Sequence, residues 1–358
     1  MPFYYELHRQ DKTFTAAHAE RTAQGLLRLK EGFKEEGVPE RVRSSKLLLA
    51  TWNIREFESG KYGARQREAL YYIAEIIDHF DIVAVQEVRD DLSSLEKVMD
   101  ILGSWWEYLL TDVTEGRQGN LERMAFIYDT RKVRFGGLAG EIVVPPVDKS
   151  TPSGQFARTP FIVGFRTGWF KFTICTTHIY YGESVADDPQ RVREIQQLAK
   201  HLADTAAKEQ AWAKNMIVLG DFNIFGVEDE TFKALTKPGF QIHPQLLGIG
   251  SNLDQSKHFD QIAFIAPDMK DRLEECNAGV FNYYKYVYRD AEAEQYGPDV
   301  PTTKTGKPGK FRDWRTYQMS DHLPMWIELR VDFSREYLER IAEGKKAVMP
   351  VSAPVKAK

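Results

Sequence analysis

Residues 216–223 read MIVLGDFN. The run Met216–Leu219 is too short for a helix, fits a strand buried on both faces, and stops on Gly220-Asp221-Phe222-Asn223. The same grammar recurs on either side. Residues 47–53 read LLLATWN and end on Asn53; 81–87 read DIVAVQE and end on Gln86 and Glu87; 172–178 read FTICTTH and end on His178. Asp260 lies within FDQIAFI at 259–265, and Asp321-His322 immediately precede the last apolar run. The strand candidates are 47–54, 81–88, 123–128, 161–166, 170–179, 215–221, 260–265 and 324–330, many rich in Val, Ile and Phe.

Amphipathic segments separate these runs. Leu70, Ile73, Ile77 and Phe80 form one helical stripe. Ser93 and Glu96 have capping-box spacing before Leu95, Val98, Met99 and Leu102, with Gly103 as the stop. Asp188-Pro189 starts a helix carrying Val192, Ile195, Leu198 and Leu202. A further helix is expected over 14–36, with Leu26, Leu27, Leu29 and Phe33 among charges, followed by a charged linker over 37–46. Residues 1–46 are therefore read as an N-terminal helical extension and 47–332 as the main α/β domain. A Tyr-rich, then Pro-, Thr- and Gly-rich surface loop is expected over 281–318. Residues 333–358 are read as a C-terminal helix and a tail disordered beyond about Lys345.

The 358-residue chain has a formal net charge of −4, so no strongly basic footprint announces a nucleic-acid binder; a local patch or bound metal can still serve one. Its two cysteines, Cys175 and Cys276, make neither a disulfide framework nor a zinc motif. No signal peptide and no membrane insertion are expected, and the default location is cytoplasmic.

The chemistry collects at the strand ends, which are rigid platforms. Glu87, Asp221 and Asp321 are hard oxygen donors suited to Mg²⁺ or Mn²⁺. His178 and His322 can move a proton near neutral pH. A phosphodiester under attack accumulates negative charge that a cation and oriented donors stabilise. Singly, each residue has an ordinary structural reading: Asn53 as a strand cap, Glu87 with Arg89 as a surface ion pair, His178 as a hydrogen-bonded structural histidine, Gly220–Asn223 as a tight turn, Asp321-His322 as a loop cap. The ordered set at successive strand edges points instead to phosphoester hydrolysis.

That set resembles the endonuclease/exonuclease/phosphatase superfamily. The segments are TWNIREF at 51–57, DIVAVQEVRD at 81–90, GNLERMAFIY at 119–128, FARTPFIVGF at 156–165, TTHIYYG at 176–182, VLGDFNIFG at 218–226, HFDQIAFI at 258–265 and SDHLPMWIEL at 320–329. Asn53-Ile54-Arg55, Gln86-Glu87-Val88-Arg89 and Glu122-Arg123 resemble the deoxyribonuclease I branch. The resemblance implies a four-layer sandwich of two packed mixed β-sheets flanked by helices. It implies metal held by Asn53, Glu87 and Asp321, and proton transfer by His178, oriented by Glu122, and by His322, paired with Asp260. Asp221 would position the attacking water or a second metal. Asn223 would donate to the phosphate, and Arg55, Arg89 and Arg158 would contact substrate phosphates or bases. The expected activity is a Mg²⁺- or Mn²⁺-dependent phosphodiesterase acting on DNA or another phosphodiester, with hydrolysis of small phosphoesters or phospholipid headgroups as the alternative. Asn120 stands where the branch carries a groove-contacting tyrosine. Lys304, Lys307, Lys310, Arg312 and Arg315, interleaved with Phe311, Trp314 and Tyr317, suggest a grip on single strands.

Overall fold

The computed structural model describes residues 1–42, 44–58, 64–115, 119–143, 156–266, 276–302, 306–307 and 309–344. The tail beyond Lys345 and Lys304 lie outside the described residues.

The described strands form two six-stranded sheets. The first has spatial order β11-β12-β1-β2-β4-β3, built from Ala278–Val280 (β11), Met325–Arg330 (β12), Lys46–Phe57 (β1), Ile82–Val88 (β2), Arg123–Asp129 (β4) and Trp106–Leu110 (β3). The second has order β5-β6-β7-β8-β10-β9, built from Arg134–Glu141 (β5), Phe161–Thr167 (β6), Phe170–His178 (β7), Asn215–Asp221 (β8), Asp260–Ile265 (β10) and Gln241–Ile242 (β9). The described α-helices are Ala16–Glu35 (α1), Arg67–Asp78 (α2), Ser93–Leu102 (α3), Pro189–Ala207 (α4), Glu230–Thr236 (α5), Phe311–Gln318 (α6) and Ser334–Ala342 (α7). The sheets pack face to face, β1 against β8 and β10, and β2 against β7 and β8. The expected four-layer sandwich is the observed one.

Strand alternation explains the near-continuous apolar runs. Ile217 and Leu219 of β8 face the core between the sheets, whereas Met216 and Val218 pack with Ile195, Leu198 and Leu202 of α4. Asp188 caps α4 as its sequence suggests, accepting from the backbone N–H groups of Gln190 and Arg191. The α3 start differs from the capping-box expectation. Ser93 is already helical, and its N–H is taken by the Asp91 carboxylate at 2.8 Å. Cys175 and Cys276 are both buried, and neither is in a disulfide.

Each sheet has one parallel pair, β1 with β2 and β7 with β8; the other pairs are antiparallel. Parallel neighbours end on the same side, so Asn53, Glu87, His178 and Asp221 gather at one edge of the sandwich. Asp260 joins them because β10 runs antiparallel and opens opposite Asp221.

Leu26, Leu29 and Phe33 of α1 are buried in the same core as the first sheet, while Leu27 is exposed. The 281–318 stretch is not the exposed loop its composition suggests. Tyr283, Tyr288 and Tyr296 are buried, and 311–318 is helix α6. Hydrogen bonding lets these tyrosines go inside. Tyr296 and Tyr72 hydroxyls both donate to Glu68 Oε1 at 2.7 Å, and Arg21 pairs with Glu68 Oε2 at 2.6 Å.

His79, at the end of α2, stacks on Phe33 with ring centroids 3.8 Å apart, and its Nε2 lies 3.1 Å from the Pro39 carbonyl. Burial pushes its pKa down to about 4. The unfolded imidazole takes up a proton near pH 6.5, the folded one only near 4. The unfolded chain therefore binds more protons in that window, and stability falls as pH falls through it, by at most about 3 kcal/mol from this residue. Urea titrations at pH 7 and 4.5 check this. His79→Gln should lose less stability between the two than the parent, and equal losses would clear His79 of the effect.

Candidate active site

Asn53, fully buried in β1 just before its register shift, donates through Nδ2 to Glu87 Oε1 at 2.9 Å and to Asp221 Oδ2 at 3.0 Å. Two carboxylate acceptors require the amide nitrogen there, which fixes the orientation of the group. One amide thus ties the two sheets together at the site. Glu87 has a left-handed backbone, φ 62°, at an irregularity where β2 leaves β4. A bulky residue pays for that conformation only where its direction matters. Its Oε2 accepts the Glu56 N–H at 2.9 Å. Burial pushes the Glu87 carboxyl pKa up, and neighbouring Glu122 adds to the rise.

Asp221, almost fully buried, is the hub. Its Oδ1 accepts the Asn223 N–H at 2.9 Å, while Oδ2 faces His178 Nε2 at 3.5 Å and His322 Nε2 at 3.7 Å. Each imidazole has a second carboxylate behind it. His178 Nδ1 lies 2.8 Å from Glu122 Oε2, at ion-pair distance but without hydrogen-bond alignment. His322 Nδ1 hydrogen-bonds Asp260 Oδ2 at 2.7 Å. Burial opposes charge on His322, yet Asp260 and Asp221 outweigh it and hold its pKa well above the ordinary value. Burial also opposes charge on Glu122, but His178 and Arg158 hold that carboxyl at about 2.

Asn223 has φ 52° and donates through Nδ2 to the Ile179 carbonyl at 2.8 Å. Asp321 is the most open member; its Oδ2 lies 3.6 Å from Arg55 Nη1. Arg55 also donates to Thr316 Oγ1 at 2.6 Å and Tyr317 OH at 2.8 Å, so α6 holds it at the rim. Arg89 pairs with Glu56 Oε2 at 2.6 Å and donates to the Asn120 carbonyl. Arg158 is buried, with Nε 2.6 Å from Glu122 Oε2. All the residues expected from sequence thus fall at one end of the sandwich, Arg158 beneath the surface and Arg55 and Arg89 at its edge.

The donors suit a divalent cation. Asn53 Oδ1 is buried without a hydrogen-bond partner, beside a raised carboxyl at Glu87, and a hard cation would satisfy both. Among the described residues no three His, Cys, Asp or Glu side chains are grouped to hold a metal alone. A small oxygen-seeking ion that keeps water and takes substrate oxygen fits such a partial set.

Several supporting residues escaped the sequence reading. Ser320 Oγ donates to the Asn53 carbonyl at 2.6 Å and accepts from the His322 N–H at 3.0 Å, fastening the Asp321-His322 turn to β1. Glu194 of α4 accepts from Ala157 N at 3.3 Å and Tyr180 N at 3.2 Å, bracing the segments that carry Arg158 and follow His178. Ser320 was legible as a neighbour of Asp321; Glu194 lay hidden in a helix pattern.

Gly220 has φ 130°, and a Cβ there would run into the Thr177 carbonyl of the adjoining strand. Gly220→Ala is expected to cost about 3 kcal/mol or more of stability, measured by urea denaturation. A loss under about 1 kcal/mol would mean the strands can part locally at no great cost.

Among the described residues no helix is long and apolar enough to cross a membrane. A deoxyribonuclease of Thioalkalivibrio sp. (strain K90mix) is 32% identical over 184 residues, 50% of this chain and 46% of that protein. Deoxyribonuclease-1 of Gallus gallus is 30% identical over 184 residues, 49% of this chain and 60% of its own. The chain thus spans about half of these relatives' length. An endonuclease/exonuclease/phosphatase family protein structure from Bacteroides thetaiotaomicron superposes with a TM-score of 0.52 at 16% identity, covering 80% of this chain and 96% of that one, a likeness of fold. The model of the Endonuclease/Exonuclease/phosphatase family matches residues 50–312, and the chain belongs to that family.

Proposed function

We propose that the chain is a Mg²⁺- or Mn²⁺-dependent phosphodiester hydrolase that cuts DNA internally. The observation that carries this reading is the pair of carboxylate-backed imidazoles facing one oxygen of Asp221, beside an amide oxygen left without a partner.

Asn53 and Glu87, with Asp321 beside them, would hold the divalent ion, and a bound ion would supply positive charge against the growing negative charge of the phosphate. The chain's own residues do the rest. Glu122 and Asp260 each hold one ring nitrogen of His178 and His322, leaving both Nε2 atoms on the Asp221 side. One imidazole takes the proton of the attacking water and the other gives a proton to the leaving oxygen. Asp221 sits between them to orient the water, and its tie to Asn223 and Asn53 prevents it from swinging. Arg158 holds Glu122 ionised against His178, a positioning role beneath the phosphate. Likeness to the deoxyribonucleases supports DNA as substrate.

A second reading, hydrolysis of small phosphoesters, is favoured by one observation. Arg55 and Arg89 already have partners within the chain.

Supercoiled plasmid incubated with Mg²⁺, Mn²⁺ or EDTA, beside a His178→Ala control, separates the readings. Nicking that needs both metal and His178 supports the nuclease. Intact plasmid alongside metal-dependent release of phosphate from small esters overturns DNA as the substrate and leaves the second reading.

A further inference from the structure

In the basic and aromatic stretch near residue 311, Tyr317 lies under the Arg55 guanidinium, and the other two rings pack on neighbouring tyrosines. Phe311 stacks on Tyr296 at 5.6 Å, and Trp314 is buried against Tyr288 and Tyr296. A different aromatic group stands at the rim of the active site. Tyr181, Phe225 and Phe259 come from three separate loops, with ring centroids 5.5–6.4 Å apart. Tyr181 is 41% exposed, and the two phenylalanines are half-buried. Phe259 lies 5.6 Å from the His322 ring, which makes the cluster continuous with the catalytic end. Lys257 Nζ stands 4.3 Å from the Phe225 ring centre.

The three loops are braced before any ligand arrives. Arg191, fully buried, donates to the carbonyls of Tyr180, Tyr181, Glu183, Val185 and Ala186. The Phe222 N–H donates to the Phe259 carbonyl at 2.8 Å and the His258 N–H to the Phe225 carbonyl at 3.3 Å. Arg191 also lies over the Tyr181 and Phe225 rings, 5.4 and 5.0 Å from their centres, so Tyr181, the exposed member, is held firmly enough to receive a flat partner without an ordering cost.

We infer that Tyr181, backed by Phe225 and the edge-on Phe259, forms a stacking platform for an unpaired base next to the bond being cut, with Lys257 meeting a backbone phosphate. The inference rests on the nuclease reading above and specifies its substrate as a single-stranded or frayed strand. In an intact duplex both faces of a base are already covered, so the rings would have little to stack on; an unpaired base offers a free face. The cation beside the rings complements the backbone that must accompany the base.

Fluorescence anisotropy in EDTA, where nothing is cut, tests this with two labelled strands of equal length: oligothymidylate and its abasic sugar-phosphate counterpart. Oligothymidylate is expected to bind about ten-fold tighter, within the range of one stacked base. Tyr181→Ala, an exposed substitution that the fold tolerates, should remove most of that ratio while leaving the abasic strand's affinity unchanged, and Phe225→Leu should do the same. Lys257→Ala should weaken both strands alike. Equal binding of the two strands by the parent, or an undiminished ratio in both ring variants, would overturn the platform. Plasmid cleavage is scored separately. Base-dependent binding without any cleavage supports the platform and sinks the hydrolase reading; cleavage without base-dependent binding does the reverse.

Discussion

His178→Ala lowers turnover on plasmid DNA by about 10²- to 10⁴-fold, the usual cost of removing a positioned proton-transfer group. The geometry makes the substitution specific. His178 is held between Glu122 at 2.8 Å and Asp221 at 3.5 Å, and it carries no part of the hydrophobic core. The variant should therefore fold and bind DNA while failing to cut it. His322→Ala should fall in the same range. Because both rings face Asp221 Oδ2, the double variant should lose far less than the product of the two single losses. Single-turnover rates on nicked and supercoiled plasmid would measure all three. Near-normal turnover in His178→Ala would remove this residue from the chemistry.

Glu87→Gln shifts the Mg²⁺ dependence. The substitution keeps the shape that the left-handed backbone aims at Asn53 and an oxygen for the Glu56 N–H, but its amide nitrogen then faces Asn53 Nδ2, so the Asn53 hydrogen bond is lost at a cost of about 1–3 kcal/mol of stability. It removes the charge that a divalent cation would neutralise. The Mg²⁺ concentration giving half-maximal cleavage should rise by at least about 10- to 100-fold, the cost of losing even a partner outside the metal's own ligands. Calorimetric titration of Mg²⁺ into parent and variant without DNA gives a second reading that does not depend on turnover. An unchanged titration would take Glu87 out of the metal site.

Much of the site was legible because it is written at strand ends. Asn53, Glu87, His178 and Asp221 each follow a run of apolar strand residues in the sequence, and the two parallel pairs turn that local pattern into one edge. What escaped had weak local signals. β5 reads RFGGLAGE and alternates half-buried with exposed residues, so no apolar run marks it. β9 spans only Gln241–Ile242, and β11 only Ala278–Val280. Helix α6 hides in a stretch whose composition reads as loop, and its order comes from partners far away in sequence. Arg55 grips Thr316 and Tyr317, while Arg65 donates to the Gln318 carbonyl at 2.7 Å. The placement of Arg158 is of the same kind. An arginine near a phosphate site reads as a ligand for phosphate, and only the fold reveals that Glu122 has claimed it.

The pairing of β12 with β1 joins residues 325–330 to residues 46–51. During synthesis, the strand that bears Asn53 leaves the ribosome long before the turn that bears Asp321 and His322. The nascent chain can assemble β7 and β8 with His178 and Asp221, yet it lacks the second imidazole until almost the whole domain has been made. Translation that aborts before residue 321 yields a product with an open sheet edge and without Asp321 and His322. The unpaired edge of β1 in such a product is a template for pairing with another chain, so incomplete copies are prone to associate.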